Sequence, residues 1–433
     1  MPFIKESGII GRLGVGPSLV RILWVKAGKV LPVDSGGKIR SYNILKHLAR
    51  SHDVTLLSYY GGRRDSAYED AIQEEFPGAQ TIFTAARDST TLERCVRYIA
   101  RLFRSAPFAV SKFFHTAVGQ AVSRSLTSGH FDVAVCDFLS ASLNFPPFPP
   151  IPTVLFQHNV ETALWRRMAS TEPNVIKRVA YRIEATKMER QERHALSRFH
   201  HVIAVSEHDR EMMLQMSPQR AITVVPTGVD TQKYSPVPPA QADPPKIVFT
   251  GSMDWEPNID AVRYFCEHVF PRVRSSCPSA LFQIVGRNPH PEVTRLASDS
   301  VQVTGAVPSV ADYLRDATVV IAPLRIGGGT RLKIFEAMAM GKAVVSTSLG
   351  AEGLDVHSGH DLILADSSEA FAEAILLLVR DASARRRYEE AAARLAAQFD
   401  WSVIAKKFAG VLQDAVRQFN AQAERARDTP VTL

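Results

Sequence analysis

Short apolar runs separated by amphipathic stretches recur along the chain. Residues 21–25, 54–59, 132–136, 153–156, 201–205 and 222–225 are rich in Val, Ile, Leu and aromatic side chains, with little period-two alternation. Strands buried on both faces have this signature, so the runs predict a parallel sheet covered by helices. The pattern stops at Ser235-Pro236-Val237-Pro238-Pro239-Ala240-Gln241-Ala242-Asp243-Pro244-Pro245, which can continue neither a helix nor a ladder. It restarts at 246–250, 281–285, 301–304, 318–322, 343–346 and 362–364. The expectation is an α/β chain of two facing Rossmann-like, doubly wound domains, at 21–235 and 246–400 around a linker at 236–245. A helix at 401–420 crosses back to the first domain, with a leader at 1–20 and a tail at 421–433. Ligand loops gather at the carboxyl ends of such strands, so the chemistry is expected between the domains.

Composition narrows the class. With 433 residues, 45% hydrophobic and 22% charged, the chain has material for two or three full cores. A net charge of +7, spread along the length, suits anionic ligands or acidic membrane surfaces rather than nucleic acid. Cys95, Cys136, Cys266 and Cys277 form no C-x-x-C pair, which argues against structural zinc and a disulfide framework and for a reducing cytoplasm. Arg12, Arg21, Gly14, Gly16 and Pro17 interrupt the apolar stretch at 9–25, so neither a signal peptide nor a span is expected. In 93–117, Arg94, Arg97, Arg101 and Arg104 share a helical face beside Val96, Ile99, Leu102 and Phe103. That segment reads either as a peripheral contact with the inner face of an acidic membrane or as a solvated basic face.

The candidate chemistry is densest at 327–347. Gly327, Gly328 and Gly329 follow a predicted strand and open a predicted helix, with Thr330 placed to cap it. Backbone N–H groups at such a mouth accept an anion, and Arg331 and Lys333 add two positive charges. Leu332, Phe335, Met338 and Ala339 form the inward stripe, leaving Lys333 and Glu336 together on one flank at i,i+3. A phosphate and a sugar hydroxyl suit that pair; the alternative is a plain glycine loop followed by a solvated ion pair.

Together with Val225-Pro226-Thr227-Gly228-Val229-Asp230 and Phe249-Thr250-Gly251-Ser252, this block resembles the family-four retaining glycosyltransferases of the GT-B fold, over about residues 21–419. The nearest pattern is that of bacterial exopolysaccharide-type sugar transferases. The resemblance implies a nucleotide-diphosphate sugar donor on the C-terminal domain, a glycan or lipid-linked acceptor on the N-terminal domain, and neither cofactor nor obligatory metal. Glu336 matches the second glutamate of the family's E-x7-E motif, which holds the donor ribose, while Gly328 stands where the first glutamate would be. The Arg and Lys that many relatives carry after the first strand of this domain are absent from Met253-Asp254-Trp255-Glu256-Pro257-Asn258, so the diphosphate role passes to Arg331 and Lys333. The resemblance implies that Val307 stands in the loop that brackets the base and that Gly251 and Gly286, at strand ends, line the donor site, with ordinary strand-end turns as the alternative for Val307 and Gly286.

In the N-terminal half, Gly36 and Gly37 lie after the first strand, ahead of a helix predicted over 42–50, and offer amides to the same phosphates from across the cleft. His158 follows a strand within Gln157-His158-Asn159-Val160-Glu161 and is the candidate catalytic residue, with a satisfied structural histidine as its alternative. Two further readings of the chain are a nucleotide-sugar epimerase and a non-catalytic nucleotide-sugar-binding subunit. A dinucleotide oxidoreductase is disfavoured, because neither half opens on a G-x-G-x-x-G turn.

Overall fold

A computed structural model describes residues 19–84, 106–236, 243–327 and 332–428. The first sheet is built from β1 (Arg21–Ala27), β2 (Asp53–Tyr60), β3 (Gln80–Phe83), β4 (Val133–Asp137), β5 (Thr153–Phe156), β6 (His201–Ala204) and β7 (Ile222–Val224), in the order β3-β2-β1-β4-β5-β6-β7. The second comprises β8 (Lys246–Thr250), β9 (Leu281–Val285), β10 (Val301–Gly305), β11 (Val319–Ala322), β12 (Val344–Ser346) and β13 (Ile363–Leu364), in the order β10-β9-β8-β11-β12-β13. Every strand pairing within the two sheets is parallel. Ile22, Leu23, Trp24 and Val25 of β1 are all buried, as are all four residues of β11, which is why these strands read as unbroken apolar runs.

The strand order reverses direction between β1 and β4 in the first sheet and between β8 and β11 in the second. Loops diverge at such points and leave a crevice at the carboxyl ends. Five helices frame it: α1 (Gly36–Leu48), α2 (Glu161–Thr171), α3 (Val175–Arg198), α4 (Leu332–Ala339) and α5 (Trp401–Asp428). The chain crosses between domains twice. On its return, Val229 and Trp401 exchange backbone hydrogen bonds with Phe399 and Val229 at 2.8 and 3.2 Å. Phe408 of α5 then packs against Trp24 and Phe156 of the first sheet, with ring centroids 5.4 and 5.0 Å away.

The last helix and the third strand both differ from the sequence expectation. α5 continues to Asp428 without a break at 420, because its 421–428 stretch, Ala421-Gln422-Ala423-Glu424-Arg425-Ala426-Arg427-Asp428, is free of Gly and Pro and rich in good helix formers. β3 was not foreseen: Gln80–Phe83 is a four-residue edge strand whose side chains are only partly buried.

Candidate active site

The C-terminal wall is built around α4. Ile334, Phe335 and Met338 are buried, and Phe335 stacks on Phe399 with centroids 4.6 Å apart, which fixes the rotation of the helix and leaves Lys333 and Glu336 off the core side. Lys333 Nζ donates to Asn258 Oδ1 at 2.9 Å and lies 4.0 Å from the centroid of the Phe249 ring. Glu336 turns toward Tyr234 and Lys233 in the segment that crosses between domains. Burial raises its pKa above the usual carboxylate value, against the opposing pull of Lys233, the Tyr234 hydroxyl and Lys333. The two side chains thus leave one helix toward different partners, Lys333 toward Asn258 and Glu336 toward the crossing segment. Gly328, Gly329, Thr330 and Arg331 lie outside the described residues.

Gly251 and Gly286 end neighbouring strands, and close approach explains both. A Cβ at Gly251 would sit 2.6 Å from Asn258 Nδ2 and 2.9 Å from Lys333 Nζ, and one at Gly286 would overlap the Gly251 carbonyl. Val307, in the turn after β10, is partly buried against the core that the domains share.

The N-terminal wall meets this one directly. α1 begins at Gly36, six residues earlier than the sequence predicts, so Gly36 and Gly37 belong to the first helical turn instead of to a loop ahead of it. Packing of α1, whose Ile44, Leu45 and Leu48 are buried, overrides the low helix propensity of the glycine pair. The Cβ position of Gly36 lies 3.8 Å from Leu332 Cδ1 of α4. Arg287 adds a second bridge, donating to the Asp34 carbonyl at 3.1 Å. The first residues of α1 and α4, one from each domain, therefore lie side by side, and the amides and dipole at the start of a helix favour an anion.

His158 stands beside α1. Its Nδ1 is 3.3 Å from the Cβ position of Gly37, and its Nε2 is 2.8 Å from Asp137 Oδ1. Only 8% of the residue is exposed. Burial pushes its pKa down to about 4, and Arg40 and Lys26 add to that against the attraction of Asp137, so the ring is neutral near pH 7. Asp137 ends β4; burial alone would raise its pKa, yet Lys26 and His158 hold it well below the usual range. Its Oδ2 accepts from Trp24 Nε1 at 2.9 Å and Lys26 Nζ at 3.0 Å. Arg40 of α1 is buried as well, donating to Thr227 Oγ1 at 2.9 Å.

Beyond His158 lies a hollow lined by Asn159, Val160, Leu164, Arg167, Asp209 and Glu352. Arg167 of α2 clasps the other domain, donating to the Gly327 carbonyl at 2.7 Å and to both Glu352 oxygens at 2.9 and 2.5 Å. Glu161 opens α2; burial, then the nearby Glu192, pushes its pKa up to about 7. Glu192 accepts the Glu161 and Thr162 amides at 2.8 and 2.9 Å. Ser206 caps the helix Glu207–Met216 by accepting the Asp209 amide.

Sequence reasoning missed Asp137, Lys26, Asn258, Arg167 and Glu352. Asp137 carried a usable signal, as the carboxylate immediately after a predicted buried strand. Arg167 and Glu352 carried none, being 185 positions apart. Among the described residues, no group of three or more His, Cys, Asp or Glu is placed to hold a metal ion, and no helix is long and apolar enough to cross a membrane. The basic part of 93–117, through residue 105, lies outside the described residues.

Comparison with known proteins agrees with this architecture. The pattern described as Glycosyltransferase Family 4 matches residues 35–233, and that described as Glycosyl transferases group 1 matches residues 244–381. A phosphatidyl-myo-inositol mannosyltransferase of Mycobacterium leprae is 28% identical over 227 residues, 49% of this chain and 58% of its own. The enzyme of that name from Mycolicibacterium smegmatis is 27% identical over 49% of this chain and 56% of its own length, so the chain spans little more than half of either relative. Among solved structures, Anabaena HepE in complex with UDP and glucose superimposes with a TM-score of 0.61 at 16% identity, over 91% of this chain and 99% of that one. Sucrose-phosphate synthase from Thermosynechococcus elongatus gives a TM-score of 0.64 at 16% identity, over 93% and 100%. With both domains matched in order and the facing-domain fold shared, the chain belongs to the family-4 type glycosyltransferases of the GT-B fold.

Proposed function

We propose that the protein transfers a sugar, with retention, from a nucleotide-diphosphate sugar to a glycan or lipid-linked acceptor in surface polysaccharide or glycoconjugate synthesis, in the cytoplasm. The observation that carries this reading is the meeting of the α1 and α4 N-termini, Gly36 against Leu332, across the domain boundary. Two helix ends from separate lobes make a site for a dianionic pyrophosphate that neither lobe makes alone. The UDP and glucose bound by HepE, and the lipid acceptor named in the two mannosyltransferases, support the donor and acceptor classes.

In this reading the anomeric C–O bond to the diphosphate breaks while the acceptor oxygen bonds the same carbon. The acceptor proton passes to the departing phosphate on the face it leaves from. The amides of α1 and α4, with Lys333 and Arg331, stabilise the charge that develops on the leaving group. Glu336 takes the donor ribose hydroxyls, Gly251, Gly286 and Val307 border the nucleoside, and the amides of Gly328 and Gly329 with the Thr330 hydroxyl border the phosphates. His158, being neutral, offers Nδ1 to a sugar hydroxyl beside Gly37 instead of donating a proton from a charged ring. Domain closure excludes water from the anomeric carbon.

A thermal-shift panel of nucleoside diphosphates and their sugars tests this reading. At 100 times Kd a ligand adds about 2.7 kcal/mol to the native state. At least one nucleotide should raise the melting temperature of the wild type and fail to do so for Lys333→Ala. A panel with no stabilising member at millimolar concentration would remove the transferase reading.

A further inference from the structure

We propose that the tip of the α2–α3 hairpin is a docking surface for an anionic lipid bilayer. Of the eleven large apolar side chains that stand exposed among the described residues, five are on this one hairpin: Met168, Val175, Ile176, Val179 and Ile183. Ile176 is 82% and Val175 62% exposed, values that leave most of each residue in water. Advancing about 100° per residue places Val175, Val179, Ile183 and Ile176 within an arc of roughly 100° on α3, a continuous stripe two turns long. Its neighbours are cationic. Arg178 and Arg182 border one edge of the stripe and Lys177 lies beyond the other, and none of the three enters an ion pair among the described residues. A hollow between the helices, lined by Arg166, Ser170, Arg182, Thr186 and Glu189, opens beside the stripe; there Arg166 is paired with Glu189 and both hydroxyls donate to helix carbonyls, so Arg182 is the cation it leaves available.

Aliphatic side chains flanked by unpaired cations match the boundary between acyl chains and anionic headgroups, where both can be satisfied together. A second copy of this chain fits poorly, because a two-fold contact would bring the same three cations against themselves. The surface is also placed to matter. The root of α2 carries Leu164 and Arg167 of the hollow beside His158, so a bilayer under the hairpin tip would bring the mouth of that hollow near the lipid surface.

The test is flotation of the full chain with vesicles of phosphatidylcholine alone and of phosphatidylcholine mixed with phosphatidylglycerol. Three proteins are compared: wild type, Ile176→Asp with Val179→Asp, and Lys177→Glu with Arg178→Glu and Arg182→Glu. All substituted positions are at the surface, and melting curves confirm that the variants fold. Wild type should float with the anionic vesicles only, and each variant should lose at least tenfold in partitioning. Binding retained by both variants, whichever other segment carries it, overturns the proposal. So does the absence of wild-type binding at low salt, or a wild-type dimer in light scattering that the aspartate pair dissociates. The readout needs no sugar transfer, so its failure and that of the transferase reading are separable.

Discussion

His158 concentrates the competing forces of the site in one ring. Burial is the largest influence on it and drives its pKa to about 4, although the carboxylate of Asp137 lies 2.8 Å away. The attraction is spent elsewhere: Lys26 and Trp24 already hold the other oxygen of Asp137, so that carboxylate is largely compensated before it meets the imidazole. The consequence for stability has a definite sign. With a folded pKa below the ordinary 6.5, the unfolded chain binds more protons than the native one between about pH 6.5 and 4, so stability falls as the pH is lowered through that window. His158→Gln keeps a neutral polar side chain and has no proton to take up. The melting-temperature difference between wild type and His158→Gln should therefore shrink, or reverse, from pH 7.5 to pH 4.5. Parallel curves would show that the imidazole titrates normally, and would remove the neutral hydrogen-bonding role.

Among the elements, the helices that open on the cleft are where stability and chemistry separate. Gly37 lies in the first turn of α1, and a Cβ there would come 3.3 Å from His158 Nδ1, a contact relieved by a shift of a few tenths of an ångström. Gly37→Ala should leave stability within ~1 kcal/mol of wild type, since alanine suits a helix better than glycine. It should lower kcat/KM about tenfold or more, because the added methyl group crowds both the imidazole and the amides that face α4. Wild-type kinetics in the alanine variant would take α1 out of the donor site. The sequence was informative about elements for a related reason. Both sheets are covered on both faces, so twelve of the thirteen strands showed as apolar runs; β3 did not, because an edge strand with partly exposed Gln80 to Phe83 has no such run to display. The start of α1 was misjudged because propensity counts glycine against a helix, while the packing of Ile44, Leu45 and Leu48 is not local information. The shared flank of Lys333 and Glu336 was legible from helical spacing, but not that Lys333 would be tied to Asn258, 75 positions away.

At the scale of the molecule, the two lobes are joined in ways of very different strength. The crossing segments and α5 bury Phe399, Trp401 and Phe408 in the core that both lobes share. Across the cleft, the described residues also make polar contacts: Arg287 on Asp34, and Arg167 on Glu352 and the Gly327 carbonyl. These side chains are partly exposed, 37% for Arg167 and 25% for Glu352, so their pairing adds only about 0–1 kcal/mol to global stability. The same small energy has more effect on an equilibrium between open and closed lobes, where 1.4 kcal/mol is about a factor of ten in population. Arg167 is also bonded directly to the carbonyl of Gly327, the first glycine of the glycine-rich loop, so opening the clasp releases that residue. Glu352→Gln should therefore leave the melting temperature within a few degrees of wild type, raise the donor KM several-fold, and increase the radius of gyration seen by small-angle scattering without donor. Saturating nucleotide should restore the wild-type radius if donor bridges the lobes, because a ligand held by both lobes supplies the differential affinity that closure requires. A variant with unchanged KM and unchanged radius would mean that Phe399, Trp401 and Phe408 alone set the angle between lobes, and that the clasp is a surface ion pair of no mechanical consequence.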